Sequence, residues 1–106
     1  MRMRMTLKFN EELANENGVD IDQYKEIIRH IFAEEGIIKD KNGDFIAPDI
    51  SKDYYPNFGK ALRKIASYEW AYVYLKEWTW NANYYHDNVL NTLKKYKNYL
   101  CEKSTN

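Results

Sequence analysis

His30 and Glu34 stand one helical turn apart in HIFAE, a spacing at which an imidazole and a carboxylate can share a metal ion or a proton. No third ligand is visible nearby, so the pair reads as a surface i,i+4 contact. His86 beside Asp87 supplies a base and a carboxylate, but Cys101 is the only thiol and no triad assembles around them. His86 is expected to line a helix junction and Cys101 to be a bystander. DKNGD, Asp40 to Asp44, looks like a calcium loop, yet its glycine comes too early and the closing Glu is missing, so it reads as a turn. There is no glycine-rich phosphate loop, no G-x-S-x-G elbow and no Cys-x-x-Cys. The carboxylates show no pairing that calls for acid–base work. The expectation is a non-enzyme with no catalytic residues, no metal and no cofactor.

The chemistry that remains is that of recognition. In YEWAYVYLKEWTW, Tyr68 to Trp80, six of thirteen residues are aromatic. Wound as a helix, the segment carries Tyr68, Tyr72 and Leu75 on one side and Trp70, Tyr74 and Trp78 on another. A surface helix needs one apolar stripe, and the first continues the face begun by Phe58 and is the natural core face. The second is either covered by a C-terminal helix through Val89, Leu93 and Tyr96, or presented to another protein. Trp and Tyr dominate interface hot spots because they bury large areas with few rotors and keep a polar edge. Trp70 is expected in the core. Trp78, Trp80, Tyr84 and Tyr85, with Tyr74, are expected to bind a partner, either a second copy or a foreign protein. LKKYKNY near the C-terminus mixes Lys94, Lys95 and Lys97 with Tyr96 and Tyr99. That is a single-strand-binding pattern, or simply lysines complementing a helix C-terminus.

The elements that must position these residues begin after a frayed stretch over 1–6, with Leu7 and Phe9 in a short extended segment. NEELANEN reads as a short helix with Asn10 as N-cap and Gly18 as its left-handed stop. VDIDQYKEIIRHIFAEEG is a longer helix, with Asp20 and Gln23 as a capping box and Val19 and Tyr24 as a staple. Ile21, Tyr24, Ile27, Ile28, Ile31 and Phe32 keep helical spacing, and Gly36 ends it. IIKDKNGDFIAP reads as a β-hairpin, Ile37 and Ile38 pairing with Phe45 and Ile46 across Asn42-Gly43, with Pro48 as its stop. Pro56 opens a helical region over 56–102. Asn81 to Asn83 break it into a helical hairpin, the alternative being one helix of roughly 45 residues that would need a partner to cover it.

The order helix, tight turn, helix, hairpin resembles a winged helix-turn-helix. The residues that carry the likeness are ELANENGVDIDQY, where Ala14 stands four before the turn Gly18, Val19 follows it and Tyr24 falls six after. IIKDKNGDFI takes the place of the wing, and its charged tip and early Pro48 look distantly like the C-terminal domains of phage antirepressors. The likeness covers the first half of the chain. It implies a recognition helix whose Gln23, Lys25 and Arg29, with Lys39 and Lys41 of the wing, contact DNA. Asp20, Asp22 and Glu26 on the same helix repel phosphate, and the C-terminal helices would have to complete the core.

At 106 residues the chain is expected to form one domain, and 44% hydrophobic with 30% charged residues suit a globular fold. Sixteen basic residues balance sixteen acidic ones, which argues against coating nucleic acid through summed positive charge. There is no signal-peptide h-region and no apolar run near the ~20 residues a bilayer requires. With one cysteine, this predicts a cytoplasmic protein. Richness in Asn, Lys, Ile and Tyr fits a phage or mobile element. The sequence therefore predicts a mainly α fold with one β-hairpin, a winged-helix-like N-terminal half closed by a C-terminal helical hairpin. The expected function is a small regulator or inhibitor that binds another macromolecule, a protein by preference; the alternative is a sequence-specific DNA-binding regulator.

Overall fold

The first nine residues, MRMRMTLKF, alternate apolar and polar side chains, the pattern of a strand with one buried face. In the computed structural model, which describes residues 3–82 and 85–95, Arg4–Phe9 is strand β1. Met5 and Phe9 are buried, while Arg4, Thr6 and Lys8 occupy the opposite face. The expected frayed terminus is thus corrected over residues 4–6, because β1 is the central strand of the fold.

Two helices follow. In α1 (Glu11–Glu16), the Leu13 N–H donates to the Asn10 side chain at 3.1 Å, and Gly18 (φ 67°) turns the chain beyond it. In α2 (Ile21–Glu34), Asp20 caps by accepting from the Asp22 N–H at 3.0 Å rather than from the third residue, and Gly36 (φ 75°) follows its end. Ile28, Ile31 and Phe32 are its buried face. The hairpin forms as β2 (Ile38–Lys39) and β3 (Phe45–Ile46), one residue out of the expected register. Ile38 faces Ile46 and Lys39 faces Phe45, which leaves Ile37 free to enter the core. α3 (Tyr55–Ala66) carries Pro56 in its first turn and buries Phe58, Ala61, Ile65 and Ala66.

The C-terminal part departs from the sequence reading. Helix α4 stops after six residues, Glu69–Tyr74, and the chain becomes β4 (Leu75–Ala82), then β5 (Tyr85–Asn88) and a short α5 (Val89–Lys94). The sheet has five antiparallel strands in the order β2-β3-β1-β4-β5. This overturns the mainly α fold with one hairpin, and the C-terminal helical hairpin with it: the chain is α/β. The physical reason lies in WTWNA, where Trp78, Trp80 and Ala82 alternate with Thr79 and Asn81. That period of two on β-favouring residues wins over the helical stripes drawn through the same aromatics. A bulge keeps the faces in phase. Lys8 lies opposite Glu77 and Phe9 opposite Leu75, so Lys76 is an extra residue on β4 and Leu75 joins the inward face with Trp78.

Leu7 faces Trp78 and Met5 faces Trp80 across the β1–β4 ladder. Upon this face pack α1, α2 and α3. Phe32 stacks on Phe45 with centroids 4.1 Å apart and meets Phe58 edge-on at 6.1 Å, while Phe58 stacks on Trp80 at 6.0 Å. The hydroxyl of Tyr72 donates to the Ala66 carbonyl at 2.6 Å, tying α4 to the end of α3. No helix among the described residues is long and apolar enough to cross a membrane.

Candidate functional site

The aromatic residues expected to face a partner are mostly interior. Trp78 is 0% exposed, Trp80 5% and Tyr74 9%. Trp80 lies between Phe58 and Tyr55 of α3, and Tyr74 receives an amide hydrogen bond from Asn17 at 3.0 Å while stacking toward Tyr24. Trp70, expected in the core, is half-buried and stacks on Tyr24 at 4.2 Å. The reading of Trp78, Trp80 and Tyr74 as exposed anchors is corrected: helical spacing puts Tyr74 and Trp78 on a second stripe and leaves Trp80 without a cover, whereas α4 and β4 turn all three inward. Tyr84 lies outside the described residues, and Tyr85 is placed by its backbone on β5. Tyr96, Lys97, Tyr99 and Cys101 also lie outside them, while Lys94 and Lys95 are exposed.

Calcium chemistry at Asp40–Asp44 is pre-empted by a protein cation. The Arg4 guanidinium sits 2.8 Å from Asp40 and 2.6 Å from Asp44, and Asp40 also accepts from the N–H groups of Asn42 and Asp44. Asp44, then Asp40, raise the pKa of Arg4. Partial desolvation works against the Asp40 carboxylate, but the Asp44 N–H, Arg4 and the Asn42 N–H together hold its pKa below the usual value. His30 and Glu34 do form the i,i+4 pair, at 3.3 Å, with Lys64 of α3 at 3.5 Å from the same carboxylate. Among the described residues no group of three His, Cys, Asp or Glu side chains could hold a metal ion.

Among the described residues, two of the depressions flank α2, and neither is legible as a local motif. The larger, about 940 Å³, is an open groove between α2 and the C-terminal end of α3. Its apolar floor is Ile27, Ile31 and Tyr68, the last 38% exposed, and its walls carry Asp20, Asp22, Glu26 and Glu34 against Lys64 and His30. Glu26 is paired with Arg29, and that hydrogen bond lowers its pKa. The smaller, about 210 Å³, lies between α2, β1 and the hairpin, where Lys8, Lys25 and Lys39 meet.

The residues expected to contact DNA divide between these places. Gln23 lines the acidic groove, Lys25 and Lys39 line the small cleft, Arg29 is engaged by Glu26, and Lys41 is exposed at the hairpin tip. They do not converge on a single basic face. The sequence reading missed the groove because it assigned Ile27 and Tyr68 to the core by spacing alone. The available signal was the acidic run Asp20, Asp22, Glu26 and Glu34 beside Ile27 on one helix. Comparison with protein-family models, with curated proteins and with solved structures found no match for this chain.

Proposed function

We propose that this chain is a small binding protein whose target is another protein, held in the groove between α2 and α3. The observation that carries the reading is the groove itself: an apolar floor of Ile27, Ile31 and Tyr68 between walls with more carboxylates than cations. Its 940 Å³ is at the upper end of the ~300–1,000 Å³ of ligand clefts. Its open length suits an amphipathic helix, which lays i, i+3, i+4 and i+7 side chains into such a trough. Tyr68 supplies a large rigid contact with its hydroxyl near the water. The acidic walls favour apolar residues flanked by Lys and Arg.

The test is calorimetric titration with a synthetic amphipathic Leu/Lys helix, using the Leu/Glu counterpart as control. The Lys peptide should bind and the Glu peptide should not. Tyr68→Ala should weaken binding by ~2 kcal/mol, and Asp22→Lys by less, both with little change in melting temperature. Equal binding of the two peptides, or binding indifferent to both substitutions, would sink the reading.

A second reading, duplex DNA, draws support from topology. The run β1-α1-α2-β2-β3, with its strands ordered β2-β3-β1, is compatible with a winged helix-turn-helix entered at its first strand. The mixed charge on the exposed side of α2, where Asp22 and Glu26 accompany Lys25 and Arg29, makes it the weaker. Absence of duplex binding at low salt, where phosphate contacts are strongest, would remove it.

A further inference from the structure

On the flank of α2 away from the groove, we infer that the cleft between β1, α2 and the hairpin is a binding site for a phosphate group. The inference is independent of the protein-binding reading. Three lysines from three elements line the cleft: Lys25 of α2, Lys39 of β2, and Lys8 of β1, whose side chain leaves the strand on the opposite sheet face and reaches the cleft only around the open edge. All three are exposed enough to reorient their ammonium groups. The one carboxylate lining the cleft is Asp44, and Arg4 already neutralises it at 2.6 Å. Among the described residues, Lys25 and Lys39 form no ion pair. Lys8 has only a long contact, 3.7 Å to Glu77 on the open sheet face, and Glu26, which feels the charge of Lys39, is held by Arg29. In a chain with no net charge, the lysines lining this cleft outnumber its one carboxylate.

The backbone adds to the site. β1 is paired by β4 along its length but by β3 only at Arg4 and Met5, so the edge from Thr6 onward is open toward the cleft. Met3 turns its carbonyl to that edge, where Ala47 donates to it. Strand alternation therefore turns the Leu7 N–H the same way. Beneath lie Phe9, Ile28 and Phe45, all buried, whose low polarisability strengthens any charge pairing above them.

Lysine ammoniums act as separate point charges rather than as a planar fork. Lys25 and Lys39 arriving from different elements, with Lys8 able to swing in around the strand edge, suit a tetrahedral dianion better than a planar carboxylate. Size narrows the choice further, since 210 Å³ is below the ~300 Å³ at which whole-cofactor sites begin. The site takes a phosphate and its nearest atoms, belonging either to a small monoester or free phosphate, or to one phosphodiester of a nucleic acid strand.

The experiment is an amide chemical-shift titration of the full chain with inorganic phosphate, with chloride holding ionic strength constant. A second arm uses a short DNA duplex. Saturable shifts at the amides of Leu7, Lys8, Lys25, Lys39 and Gly43 are expected. They should weaken roughly tenfold or more in Lys8→Gln/Lys25→Gln/Lys39→Gln, and not in Lys60→Gln/Arg63→Gln on α3. Lys25→Gln alone, at an exposed helix position, serves if the triple variant loses shift dispersion. A response to phosphate without one to duplex assigns the site to monoesters; a response to duplex at these same amides assigns it to phosphodiesters. No saturable shift in either arm, or shifts that persist in the lysine variants, would overturn the inference.

Discussion

Trp78→Ala separates the folded architecture from the surface role that helical spacing suggests for this residue. Trp78 is wholly buried on β4, opposite Leu7 and beside the bulge at Lys76. Removing a buried Trp typically costs ~3–5 kcal/mol, the transfer loss plus the cavity left behind. An unfolding entropy of ~2.1 cal/mol/K per residue, over 106 residues, converts that loss to a fall in Tm of roughly 14–22 °C. Against a total stability of ~5–15 kcal/mol, the variant sits at the edge of folding. Trp78→Phe is the internal control. Among the described residues the indole N–H of Trp78 is buried without a hydrogen-bond partner, and such a donor costs ~1–3 kcal/mol. Phe removes that penalty while keeping most of the ring, so it should cost much less than Ala. The assay is thermal and urea unfolding of the two variants beside the parent. A Trp78→Ala protein that melts within a few degrees of the parent would refute the inward placement of β4.

Gly43 at the hairpin tip has φ 89°, where a β-branched residue is strained, so Gly43→Val should lower stability by ~1 kcal/mol or more in urea titration. Tyr72→Phe removes the 2.6 Å bond to the Ala66 carbonyl and should cost about 1 kcal/mol by the same assay. Asp40 has a folded-state pKa below its unfolded value, so its contribution is present above about pH 4 and is lost as pH falls through the folded value. Arg4→Met should therefore flatten the acid limb of the stability–pH curve below about pH 4, and an unchanged limb would show that the Arg4–Asp40 contact does not persist in solution.

Much of the first half was legible because its signals are local. Asn10, Asp20, Gly18 and Gly36 cap and stop helices through bonds within a few residues, and those bonds are present. The hairpin was placed by Asn42-Gly43 but slipped by one residue, since Ile37 and Ile38 are equally apolar and only the core decides which is buried. The strands β1 and β4 are hard to read although both alternate. β1 is anticipated only at Leu7 and Phe9, since the residues before them read as a ragged start, and WTWNA is absorbed into helical stripes drawn from the residues before it. Neither strand is convincing alone, because each buries its inward face only when the other lies beside it. Met5 needs Trp80, and the two are 75 residues apart in sequence.

The two depressions show the same limit from another direction. With Asp20 as zero and ~100° per residue, Tyr24, Ile28, Ile31 and Phe32 fall between about 20° and 120°, the core stripe of α2. Lys25 lies just beyond one edge, near 140°, and Gln23, Ile27, His30 and Glu34 lie beyond the other, from about 280° to 340°. The sequence thus already sets Glu34 and Lys25 on opposite flanks of one helix, with Asp22, Glu26 and Arg29 between them on the exposed side. What it does not say is that α3 stands against the first flank and the open edge of β1 against the second, because those neighbours arrive from distant segments. The separation has a physical consequence: with the helix body between the two depressions, exposed charges on opposite flanks interact through screened solvent more than directly. Glu34→Lys, about 180° from Lys25 around the helix, should therefore alter peptide capture without moving the phosphate response at Lys25, and Lys25→Gln should do the reverse. A combined variant should lose both functions additively. Cross-effects of either substitution on the other titration would mean that α2 itself shifts, and that the two flanks act as one surface.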